Sequence, residues 1–99
     1  MTTLQRQFND PPNVAVIANR RILSDGDWIA YVLHDSHDGA WQFHTNQPGP
    51  VSGGDAVLVS LQSIVKFDPT VLALADLPLG WHAWRNSKEA SWQRARQID

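Results

Sequence analysis

The chain has 99 residues, 42% of them hydrophobic and 18% charged, with a formal net charge of −2. That is room for one globular domain rather than two, and it is too apolar for intrinsic disorder. There is no cysteine, which excludes a disulfide scaffold, thiolate metal sites and a cysteine nucleophile.

The first thirteen residues are polar and end in Asn9-Asp10-Pro11-Pro12-Asn13, which cannot continue a regular element. This predicts a flexible N-terminal lead-in over 1–13 and a single domain over 14–99. Val14-Ala15-Val16-Ile17-Ala18 is a β-branched run that suits a buried strand, closed by Asn19-Arg20-Arg21. Ser24-Asp25-Gly26-Asp27 has turn composition. Trp28 to Leu33 is apolar on both alternating faces, the pattern of a central strand covered on two sides. His34 to Gly39 makes the next turn. Trp41, Phe43 and Thr45 then alternate with Gln42, His44 and Asn46, as in a half-exposed strand.

Asn46 to Asp55 holds two prolines and three glycines and reads as loop. Ala56 to Ser60 is a further short strand. Asp68-Pro69 is a helix start, with Asp as N-cap, and Val71, Leu72, Leu74, Ala75 and Leu77 supply the apolar side. Trp81-His82-Ala83-Trp84 reads as a strand. Two readings stay open beyond it: residues 90–94 pair with that strand, or residues 88–97 form a helix capped by Ser87. Strand runs outnumber helical ones, so the expected fold is α+β, a mainly antiparallel sheet of about five strands with one short helix.

No apolar run approaches the roughly 18 residues of a membrane span. Met1 to Arg6 lacks the basic and apolar regions of a secretory signal. A cytoplasmic location is therefore expected. Charge is unevenly spread: residues 22–78 carry seven acids against Lys66, whereas both ends are net basic. An acidic middle of this kind steers a basic protein partner.

His34-Asp35-Ser36-His37-Asp38 has the residue types of a divalent-metal or hydrolytic site. Turns favour Asp and Ser for their side-chain bonds to nearby backbone, and this accounts for the cluster without a metal. Trp81, Trp84 and Trp92 lie near Arg85, Lys88 and Arg94, a pattern seen in binders of single-stranded nucleic acid. The net acidity argues against that use. Trp28 and Trp41 suit strand cores. No cofactor, metal or catalytic residue is expected.

Several short segments together resemble a known family. They are the Val14–Ile17 strand leading to Asn19-Arg20-Arg21-Ile22-Leu23, Trp41-Gln42-Phe43, and the block from Val57-Leu58-Val59 through Asp68-Pro69 and Leu77-Pro78-Leu79-Gly80 to Ala83-Trp84-Arg85. Over residues 14–85 the chain resembles small bacterial proteins assigned to polymorphic-toxin immunity, immunity family thirty-three. It departs from that pattern at Thr45 to Pro50, where acidic residues are usual. The resemblance implies a non-enzymatic protein that neutralises a cognate toxin by contact. Asp35, Asp38, Trp41, Asp55 and Trp84 are the expected contact residues, combining acidic steering with aromatic anchors.

Overall fold

In the computed structural model the described residues are Phe8, 10–46 and 56–97. Residues 47–55 of the loop expected over 46–55, Asp55 among them, and much of the lead-in lie outside them. The chain runs β1 (Ala15–Asn19), α1 (Arg20–Ser24), β2 (Tyr31–His34), β3 (Trp41–His44), β4 (Ala56–Ser60), α2 (Leu61–Phe67), a 3₁₀ helix (Pro69–Leu74), β5 (Trp81–Trp84) and β6 (Gln93–Arg96). The strands form one six-stranded sheet in the order β4-β1-β3-β2-β5-β6. Among the described residues, β1 and β3 pair in parallel and the other neighbouring pairs are antiparallel. The fold is α+β and mainly antiparallel, as expected, and the described residues form six strands where about five were expected.

Both later helices pack on one face of the sheet. Val16, Ala18, Val32, Trp41, Phe43 and Ala83 point into that layer, where they meet Leu61, Ile64, Val71, Leu74 and Leu77. The 3₁₀ form follows from sequence spacing: Val71, Leu74 and Leu77 are all buried, and a three-residue turn stacks positions i and i+3 on one side. Asp68 caps this helix as expected, its carboxylate accepting from the Thr70 amide. Helix α2 was not expected. Its signal is Ser60, whose hydroxyl accepts from the Ser63 amide, followed by Leu61 and Ile64 at helical spacing.

Three further expectations are corrected. Asn19-Arg20-Arg21 does not merely close β1 but starts α1, with Asn19 Oδ1 accepting from the Arg21 amide. Strand β2 begins at Tyr31 rather than Trp28, because the chain before it gives the Ile29 carbonyl to the Arg85 side chain. Nor is β2 covered on two sides: Val32 is buried, whereas Tyr31 and Leu33 on the opposite face are only half-buried. At the C-terminus the strand alternative holds, displaced to Gln93–Arg96 and paired antiparallel with β5. Gly80, at φ +82°, turns the chain into β5 and donates its N–H to the His34 carbonyl at 2.7 Å.

The described part of the lead-in is fastened to the domain. Phe8 meets Trp41 edge-on at 4.9 Å between ring centroids. The Gln62 amide donates to the Pro12 carbonyl at 2.8 Å. Among the described residues, no helix is long and apolar enough to cross a membrane.

Candidate functional site

The described residues among those singled out in the sequence lie in different parts of the fold. Asp35 and Asp38 sit in the turn between β2 and β3, and each spends a carboxylate oxygen on backbone. Asp35 accepts from the His37 amide at 2.8 Å, and Asp38 accepts from the Ala40 amide at 2.9 Å. Trp41 is only 2% exposed. Its ring is stacked on His34 at 3.8 Å and faces the core, so it offers no surface to a partner, which corrects its place among the contact residues. A Trp on the buried side of a half-exposed strand fills volume that the helices need. Trp84 is half-buried and lies on the other face of the sheet.

The His34–Asp38 segment is committed to structure. His34 Nδ1 donates to the Leu77 carbonyl at 2.7 Å, which ties β2 to the chain leaving the 3₁₀ helix. Among the described residues, no three His, Asp or Glu side chains gather as metal ligands would.

The C-terminal Trp and Arg residues assemble around a buried cation instead. Arg85 is 3% exposed. Its Nε donates to the Ile29 carbonyl at 2.8 Å, one terminal nitrogen to Thr70 Oγ1 at 3.1 Å, and the other to Asp68 at 2.6 Å. Trp92 covers the guanidinium at 4.2 Å, and the Trp28 ring centroid lies 5.9 Å from it. Arg94 in turn donates to Asp76 and to the Ala73 carbonyl. The cleft beside Arg85, lined also by Lys88, Ser91 and Trp92, thus has a floor whose charge is already met.

What the topology does bring together is the sheet face away from the helices. Register places Leu58, Ile17, Gln42, Leu33 and His82 in one row across five strands. A second row aligns His44, Tyr31, Trp84 and Gln93. No Asp, Glu, Lys or Arg points to this face from any of the six strands. The polar groups bond to one another: Tyr31 hydroxyl to His82 Nδ1 at 2.9 Å, and His44 Nε2 to Gln42 Oε1 at 3.1 Å. Rings contact between the two rows, with Tyr31 and His82 edge-on at 5.5 Å and His82 and Trp84 tilted at 5.3 Å. Burial lowers the pKa of His44 and raises that of the Tyr31 phenol, so both stay neutral near neutral pH. The buried His44 Nδ1 has no hydrogen-bond partner.

Of this face, the sequence marked only Trp84 as a candidate. The alternation Gln42, His44, Asn46 did signal a wet side for β3. Its extension across β2 and β5 was hidden because Trp28 to Leu33 is apolar at every position. Compared with known proteins, the chain matches no family model, no curated protein and no solved structure.

Proposed function

We propose that the chain is a cytoplasmic, immunity-type binding protein that neutralises a toxin by docking it on the open face of the sheet. The observation that supports this most is the uncharged, half-buried ring-and-aliphatic surface of Tyr31, Leu33, His82 and Trp84, laid on rigid strands. Surfaces of this composition resist neither desolvation nor close approach, and aromatic anchors on them carry most of a partner's binding energy. Asp27 precedes β2 and Asp35 follows it, so both ends of the central strand are acidic. A partner with an apolar centre and basic margins fits this arrangement. Here Asp35 and Asp38 serve at the rim and Trp84 at the centre.

A nucleic-acid role draws less support. The strands give this face aromatic rings for stacking but no Lys or Arg to follow a phosphate backbone, and Arg85 and Arg94 are engaged elsewhere.

The test is growth protection. The product of the neighbouring gene is expressed as the toxin, and this chain is co-expressed with it. Protection and a stable purified complex are expected, with Trp84→Ala and Leu33→Asp weakening the complex about tenfold or more at unchanged fold. A parent chain that neither protects nor binds, or variants that bind as well as the parent, would sink the proposal.

A further inference from the structure

The two edges of the sheet differ in a way that concerns self-association. At the β6 edge, the Gln97 amide donates to the Gly80 carbonyl, so Gln93, Ala95 and Gln97 turn their backbone groups inward to β5. The outward groups then belong to Arg94 and Arg96. A second copy pairing antiparallel there sets Arg94 opposite Arg96 of its mate, a like-charge contact that such edges use to repel additional strands.

Among the described residues, the β4 edge has no such guard. Its sequence, Ala56-Val57-Leu58-Val59-Ser60, holds no charge and no proline, and five consecutive residues pair with β1 without a bulge. The Leu61 amide donates to the Val14 carbonyl at 2.9 Å, in the same register as the β1–β4 ladder. Alternation therefore turns Val57 and Val59 inward and leaves the N–H and C=O of Ala56, Leu58 and Ser60 pointing out. Among the described residues, no strand pairs with them. Leu58, at the centre, is 71% exposed.

We infer that a second copy of this chain docks antiparallel along β4, about a two-fold axis at Leu58, to give one continuous twelve-stranded sheet. That axis sets Leu58 against Leu58 of the second copy and Ala56 against Ser60. It is the register in which all three outward-facing residues of each strand meet an outward-facing residue of the other. The contact is self-complementary, as a two-fold interface requires, and it buries the most exposed large apolar side chain among the described residues. An edge contact of this size is at the small end of specific interfaces, so the dimer forms reversibly with concentration. It extends the open face across the axis and does not depend on the toxin-binding proposal.

The chain contains no cysteine, so a single introduced thiol reports on this axis. Facing residues of a hydrogen-bonded antiparallel pair lie about 5.5 Å apart at Cα, within disulfide range. The full chain is examined by light scattering from micromolar to near-millimolar concentration. Its mass is expected to rise toward twice 11.1 kDa. Leu58→Lys is expected to stay monomeric, with the melting temperature that the parent shows at the lowest concentration, where it too is monomeric. Leu58→Cys is expected to form a covalent dimer on mild oxidation at least tenfold faster than Leu79→Cys, whose position is also exposed. A parent chain of constant monomer mass overturns the inference. So does dimerisation unaffected by Leu58→Lys, or equal cross-linking at positions 58 and 79.

Discussion

The carboxylate of Asp68 lies 2.6 Å from the guanidinium of Arg85, and the two side chains are 14% and 1% exposed. Through this pair, the start of the 3₁₀ helix is held to the end of β5. Removing the carboxylate strands a buried cation, which typically costs about 3–5 kcal/mol. Asp68→Ala is therefore expected to lower unfolding stability by about that amount, read by urea denaturation. Asp68→Ala combined with Arg85→Met should be less damaging than the sum of the two single changes, because no unpaired charge remains.

Trp92 covers Arg85 with its ring, while its indole N–H is buried with no hydrogen-bond partner. The aromatic face matters here and the N–H does not. Trp92→Phe is expected to cost under about 1 kcal/mol, and Trp92→Ala about 3–5 kcal/mol, in the same denaturation assay.

His44 carries its proton less readily in the fold than in the unfolded chain, because burial disfavours the charged ring. The unfolded state thus binds the proton first as pH falls below about 6.5, the ordinary value. Stability from this residue is full above that pH and is lost progressively below it, until the folded-state value is passed. His44→Gln should flatten this part of the stability profile between pH 7 and pH 5, measured by thermal melts across a buffer series.

Gly80 adopts φ +82°, and an added Cβ there meets Ser36 only at ordinary contact distance, 3.5 Å. Space is thus not the obstacle; backbone conformation is. Gly80→Ala should cost about 1–2 kcal/mol, and Gly80→Asn less, since Asn tolerates the left-handed region. Comparing the two melting temperatures checks this.

Much of the framework was legible in the sequence. The Val14 run, the Trp41–Thr45 alternation, the Ala56 run and Trp81–Trp84 all become strands, and Asp68-Pro69 starts a helix. Such features are local, since alternation and capping are set by residues a few positions apart. Helix α2 was lost because Ser60 both ends a strand and caps a helix, so the change of period falls within one residue. The site was far less legible. Trp41 and Trp84 look alike in sequence, yet one fills the core and the other lies on the open face.

By itself, the sequence determined the absence of cysteine, the α+β class, most of the strand segments and the absence of an apolar stretch long enough for a membrane span. Only the tertiary structure decided that Arg85 is buried against Asp68, Thr70, Trp92 and Ile29. Among the described residues, it also decided that both helices that follow β4 pack on the face opposite Tyr31, His82 and Trp84, and that β4, a strand with no charged residue, lies at one edge of the sheet. These outcomes depend on strand order and on which side the helices pack. Both are settled by contacts between residues far apart in the chain, where side-chain periodicity carries no information about the neighbour.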